Sequence, residues 1–261
     1  MSVALGVGAL ALSAFAFALA PAVASGSVKP YIPNNGPQPA HILLSVHPAD
    51  TVYTANWAGV AATGDTFTSV SATYSVPAVD CSVTSNAFAY HWIGLDGFNN
   101  SAIEQDGVAG FCTHGEPTYS AWLEMYPAGI DSRFTVNPGD AIHASVSYSA
   151  VSGLYTLALT DVTTGESFSQ PEACPNICER SSAEVISEGY PVENTYDGTA
   201  DYGIENYENI TVTDQAGNTG GFTPFSRWAY AKIIQKGVSI DAEPSAIYGG
   251  QAFSNTWLAE F

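Results

Sequence analysis

The sequence predicts an all-β fold, a sandwich of two large antiparallel sheets of the concanavalin or jelly-roll kind with very little helix. Three observations predict it. Apolar and polar residues alternate with period two in one stretch after another. No segment past residue 50 keeps a helical period over three turns. Turn residues punctuate the alternating runs at the roughly 8–12-residue spacing such folds require.

Taken in order, the runs begin with "FTSVSATYSVP" (67–77), which places Val70, Ala72, Tyr74 and Val76 on one face. "AIHASVSY" (141–148) sets Ile142, Ala144, Val146 and Tyr148 against His143, Ser145 and Ser147. "SGLYTLALTDVTTGESF" (152–168) reads as a strand, a Thr-Gly turn and the start of a second strand. "SSAEVISEGY" (181–190) is a strand with Ser182, Glu184 and Ile186 on one face and Ala183 and Val185 on the other. "ENITVTDQAGNTG" (208–220) and "RWAYAKIIQKGVSIDA" (227–242) repeat the pattern.

The ends of the chain differ from this body. Residues 1–24 form an apolar run closing on Ala22-Val23-Ala24, the small-x-small form of a signal-peptidase site, although no Lys or Arg precedes it. Residues 25–51 are rich in Pro, Asn and Gly and read as a propeptide or N-terminal arm. The domain proper is expected over 52–261. A secreted, extracellular monomer is expected, with no stable membrane association once the signal is removed.

Charge narrows the partners. Asp and Glu number 25 against 6 Lys and Arg, a net charge of −19. Such a surface repels nucleic acid. With 46% hydrophobic and 12% aromatic residues the chain can build a core, so disorder is excluded. An acidic medium relieves the self-repulsion of so many carboxylates.

Four cysteines in an exported chain imply two disulfides, and three pairings are open. Cys81–Cys112 and Cys174–Cys178 are expected, the first closing a loop around "HWIGLDG…EQDG" and the second a tight loop before the Glu184 strand. Cys174-x-x-x-Cys178 has no second close pair and no neighbouring His, so zinc is not expected; nor is any other metal or cofactor.

Familiar hydrolase signatures are missing. The chain has no Gly-x-Ser-x-Gly elbow and no His-Glu-x-x-His. Asp197-Gly198-Thr199 reverses the order of an aspartic-protease loop. His91, His114 and His143 have no nucleophile beside them in sequence and read as structural. Two features remain. One is Gln105, an uncharged amide between Glu104 and Asp106. The other is Glu184, a carboxylate in mid-strand among small and apolar neighbours, where a charge is costly without a purpose.

Set side by side, the blocks carrying these residues resemble the glutamic peptidases, or eqolisins. "NWAGV" (56–60), "HWIGLDG" (91–97), "EQDGV" (104–108), "YSAWLEMYP" (119–127) and "SSAEVISE" (181–188) match that family's motifs in order, over about residues 52–235. The resemblance implies a two-sheet sandwich with a cleft, and cleavage of peptide bonds in proteins or peptides at acid pH. It implies that Glu184 is the general base and acid on a water, and that Gln105 stabilises the oxyanion. Asp96 and Glu124 are implied as carboxylates that tune Glu184 and contact substrate, and Trp57 and Trp92 as cleft walls that contact substrate. Three positions depart from the pattern: Asp106 in place of Thr, Ala109 in place of Asp, and Val185 in place of Trp. A secreted lectin-like sandwich without catalysis would share the fold and the aromatics but gives the Gln105–Glu184 pair no role. A glycosidase would need a second acid opposite Glu184 rather than an amide.

Overall fold

The computed structural model describes residues 43–47, 51–189, 198–222, 229–236 and 241–258. The expected signal peptide, residues 25–42 and 48–50 of the arm, and residues 227–228 and 237–240 of the last expected run lie outside the described residues. Among the described residues there are seventeen strands and no helix. The first six are β1 (Leu43–His47), β2 (Thr51–Thr54), β3 (Trp57–Thr63), β4 (Phe67–Ser75), β5 (Ala87–Leu95) and β6 (Ile103–Thr113). Next come β7 (Glu116–Tyr126), β8 (Asp131–Thr135), β9 (Ala141–Ser149), β10 (Leu154–Asp161), β11 (Ser167–Glu172) and β12 (Ser182–Glu188). The last are β13 (Ile204–Asp214), β14 (Thr219–Gly220), β15 (Ala229–Lys236), β16 (Asp241–Pro244) and β17 (Phe253–Leu258).

Hydrogen bonding runs β8-β7-β6-β5-β12-β3-β15 through one half of the molecule. It runs β13-β4-β9-β10-β11 through the other. All pairs are antiparallel except β15 with β2. Strand β1 adds to β2, so the end of the expected arm contributes a strand.

The expectation of two separate sheets needs correction. Strand β13 pairs with β17 through Ile204–Tyr207 and with β4 through Glu208–Asp214, so the two halves form one continuous sheet. The register slips between Glu208 and Thr211, where Asn209 takes a left-handed φ of 52°. A bulge of this kind bends and twists a strand, which lets β13 serve both halves. At the far ends β8 and β11 approach: the Arg133 guanidinium lies 5.4 Å from the Phe168 ring centre and the Phe134 and Phe168 rings are 6.2 Å apart. The result is a barrel-like, nearly closed sheet rather than a concanavalin-like or jelly-roll sandwich.

Burial follows the predicted alternation on the outer half. In β4, Val70, Ala72 and Tyr74 are buried between less buried Ser and Thr. In β9, Ile142, Ala144 and Val146 are buried and His143 is exposed. These faces join Ile93, Leu95, Val108, Leu123, Ala183 and Val185 in the main core. Strands β3, β5, β6 and β12 behave differently, since they are buried on both faces. Their second face packs Trp57, Tyr90, Trp92 and Ile186, together with Trp122 of β7, into a separate cluster. A strand buried on both sides normally reads as continuously apolar. Here the second face also carries Gln105, Glu124, Glu184 and Glu188, all buried.

Both expected disulfides are present, Cys81–Cys112 and Cys174–Cys178, leaving no free cysteine among the described residues. No group of His, Cys, Asp and Glu among them could hold a metal ion.

Candidate active site

The antiparallel register lines up side chains on the second face in straight rows, because directly opposed residues point the same way. One row runs Glu124–Gln105–Gly94–Glu184–Ala61–Ala231 across six strands. The next runs Trp122–Gly107–Trp92–Ile186–Gly59–Ile233. A third holds Ala109, Tyr90, Glu188 and Trp57. Gln105 and Glu184, 79 positions apart in sequence (184 less 105), thus occupy one row with a single strand between them. Two strand spacings separate their Cα atoms by about 9–10 Å.

Only glycine fits between them in the row. Gly94 puts no side chain between the amide and the carboxyl. A Cβ there would stand 3.2 Å from the Gln105 Cβ, 3.1 Å from the Trp92 ring and 3.0 Å from the Glu104 carbonyl oxygen. Gly107 allows the close approach of β5, since its Cβ would fall 2.8 Å from the Trp92 Cα.

Gln105 is oriented by its neighbour in the row. Its amide nitrogen donates to Glu124 Oε2 at 2.7 Å, and its carbonyl oxygen has no hydrogen-bond partner among the described residues. An amide nitrogen carries two hydrogens, so one remains to be donated. Burial pushes Glu124 up to about 7, tempered by that hydrogen bond.

Glu184 is fully buried, and neither oxygen makes a hydrogen bond of standard geometry among the described residues. Burial raises it well above the usual carboxylate range. The charges of Asp96 and Glu104 add to the rise, while the Ser182 hydroxyl offsets part of it.

Other predicted residues lie around the dyad. Trp57 and Trp92 meet edge to face, ring centres 5.0 Å apart, and both are buried. Asp96 follows β5 in a left-handed conformation and accepts from the backbone of Glu179, Arg180 and Ser181. Of the three departures from the family pattern, Ala109 lies on the dyad's face, whereas Val185 alternates to the main core. Asp106 also lies on the far side of β6 from Gln105, with the charge-sensitive Tyr74 of β4. Val185 and Asp106 thus face away from Gln105 and Glu184.

Glu188 is a functional candidate the motifs did not single out. It accepts from Asn56 Nδ2 at 3.0 Å and from Trp92 Nε1 at 2.9 Å, and burial pushes it up to about 8. Its signal in sequence was its place four residues after Glu184, hence on the same strand face.

With this geometry in hand, the sequence matches the Peptidase A4 family over residues 55–246. The chain belongs to that family, the glutamic peptidases. Aspergillopepsin-2 of Aspergillus niger is 28% identical to this peptidase over 240 residues, covering 83% of the chain and 82% of the relative. Scytalidopepsin B of Scytalidium lignicola is 36% identical over 152 residues, 56% of the chain and 55% of the relative. Among solved structures, scytalido-glutamic peptidase with a transition-state analogue inhibitor aligns with a TM-score of 0.62 at 26% identity, over 78% of this chain and 98% of that one. A second such neighbour is a member of the eqolisin family in complex with the tripeptide Ala-Ile-His, with a TM-score of 0.59 at 26% identity, covering 78% of this chain and 98% of that chain. As a glutamic peptidase, this protein is a peptide hydrolase.

Proposed function

We propose that this peptidase is a secreted acid endopeptidase in which Glu184 and Gln105 act together on one peptide bond. The observation that carries the reading is the shared row, in which only Gly94, with no side chain, stands between the two groups. The Glu184 carboxylate takes a proton from a water whose oxygen adds to the scissile carbonyl carbon. The carbonyl oxygen becomes an oxyanion, and the second N–H of Gln105 donates to it. As the C–N bond breaks, the proton on Glu184 passes to the leaving nitrogen. A carboxylic acid and an amine result.

An amide suits this task because it donates equally at every pH. Glu184 can act as the base only when ionised, and its burial opposes that. A buried carboxylate has a high proton affinity and is a strong base once ionised. Each hydrogen bond from an incoming water favours the ionised form, so water binding and ionisation go together. Glu124 holds the amide, and Trp57 and Trp92 form a wall beside the row. Residues 25–51 act as a propeptide, removed on acidification.

The test is a digest at pH 3.5 of a protein and of a polysaccharide, by wild type and by Glu184→Gln. Proteolysis by wild type alone supports the reading. Polysaccharide cleavage, or proteolysis only at neutral pH, contradicts it.

A further inference from the structure

The backbone leading into β12 is held by a single carboxylate. Asp96 Oδ2 accepts the backbone N–H groups of Glu179 at 2.9 Å and Arg180 at 2.7 Å. Its Oδ1 accepts the N–H of Ser181 at 2.8 Å, the Ser181 hydroxyl at 3.2 Å and the Asn100 amide at 2.8 Å. Its own N–H donates to the Ser182 carbonyl at 3.0 Å. Asp96 and Arg180 both take left-handed φ angles, 67° and 54°, which cost energy outside glycine and persist only where surroundings enforce them. Successive N–H groups around a left-handed residue form an anion-binding concavity. Here the anion it holds is the chain's own Asp96.

The position of this clasp matters. Cys178, closed to Cys174, comes one residue before it, and β12 starts one residue after it. Glu184 follows Ser182 by two residues, on the same strand face. Disulfide loop, clasp and catalytic strand therefore form one continuous stretch, tied to the end of β5 by Asp96. Both Asp96 oxygens are taken up by this stretch and by Asn100, so neither is left for a substrate.

We propose that Asp96 is a positioning residue that, with the Cys174–Cys178 loop, sets the place of Glu184 on β12. The proposal rests on Glu184 being the catalytic base. Asp96 also acts through charge. The titratable groups near Glu184 are Asp96 and Glu104; Glu124 lies further along its row and Glu188 further along its strand, and Arg180 lies beside Glu104 with its guanidinium 4.0 Å from the Tyr148 ring centre. The Asp96 charge holds Glu184 up, so its loss lets Glu184 ionise at lower pH.

The experiment compares kcat, KM and pH profiles of wild type, Asp96→Asn, the Cys174→Ser/Cys178→Ser double variant, their combination and Glu184→Gln. Asp96→Asn should lower kcat about tenfold or more with KM within about twofold. It should also move the acid limb of the profile to lower pH. The disulfide variant should lower kcat in the same way, and the combination should lose no more than Asp96→Asn alone. A raised KM with unchanged kcat in Asp96→Asn would make Asp96 a substrate ligand and overturn the proposal. So would losses that multiply. If Asp96→Asn does not fold, an unchanged kcat in the disulfide variant overturns it. Wild-type behaviour of Asp96→Asn beside an inactive Glu184→Gln would sink this proposal alone, whereas an active Glu184→Gln would sink the catalytic reading beneath it.

Discussion

Gln105 gives one amide hydrogen to Glu124 at 2.7 Å, and that bond fixes which way the amide faces. The two residues are directly opposed on β6 and β7. A free amide could present its oxygen to an oxyanion, which would repel it. Glu124 prevents this by accepting from the nitrogen, so in the proposed mechanism the other N–H is the group left for the reacting carbonyl.

Glu124→Ala should therefore slow turnover more than it weakens binding. A lost hydrogen bond of about 1–1.5 kcal/mol corresponds to roughly a tenfold loss of rate. Steady-state kinetics on a peptide at pH 4 should show kcat down by about that factor and KM nearly unchanged.

Gly94→Ala adds one methyl group in the gap between Gln105 and Glu184, 3.2 Å from the Gln105 Cβ and against the Trp92 ring. Shifting a catalytic group by about 1 Å can cost roughly 100-fold in rate. The variant should fold, by near-UV circular dichroism, and lose activity on that scale.

Stability should fall as pH rises. Burial pushes Glu124 up to about 7, Glu188 to about 8 and Glu104 to about 9, against an ordinary value of 4.5. Between 4.5 and those values the unfolded chain has released protons that the folded chain retains. Their contribution is complete below pH 4.5 and is lost as pH climbs towards 9. Thermal melts should give the highest Tm near pH 4 and a declining Tm through neutrality. Glu188→Gln, which mimics the neutral acid, should flatten that decline.

The N-terminal arm gives a processing prediction. Purified precursor held at pH 7 should keep residues 25–51, and precursor held at pH 4 should lose them, as read by mass spectrometry of the N-terminus. Trimming of Glu184→Gln at the wild-type rate would exclude self-processing. Among the described residues strand β1 lies in this arm and pairs only with β2, so its loss removes β1 and, with Thr51, the Thr51–Lys232 pairing of β2 with β15, leaving the rest of the sheet paired.

The sequence was most readable where one face of a strand meets solvent. In β4 and β9 the alternation named the buried residues directly. Strands β5, β6 and β12 are buried on both faces, and there alternation separates two interiors rather than inside from outside. That is why Gln105 and Glu184 stood out singly, as an amide between acids and a carboxylate in mid-strand, but were paired only by the motif blocks, and why Glu188 went unassigned within a quoted block. The joining of the two halves through β13 was not legible either. It depends on one bulge at Asn209, and a single unpaired residue leaves the period-two pattern on each side intact. Gly94 and Gly107 lie inside the quoted motif blocks but had no role assigned to them. Only the register gives them their work, one opening the gap in the dyad's row and the other admitting Trp92 to the next.

The most direct test is the kcat/KM of Glu184→Gln and of Gln105→Ala for a peptide at pH 4, each checked for folding. Glu184→Gln keeps the shape of the side chain but cannot accept the water's proton, and no cleavage above background is expected. Gln105→Ala removes the oxyanion donor and should lose roughly 100–1,000-fold. A folded variant of either kind that keeps more than about a tenth of wild-type kcat/KM, a loss of under 1.4 kcal/mol in transition-state stabilisation, would contradict the dyad.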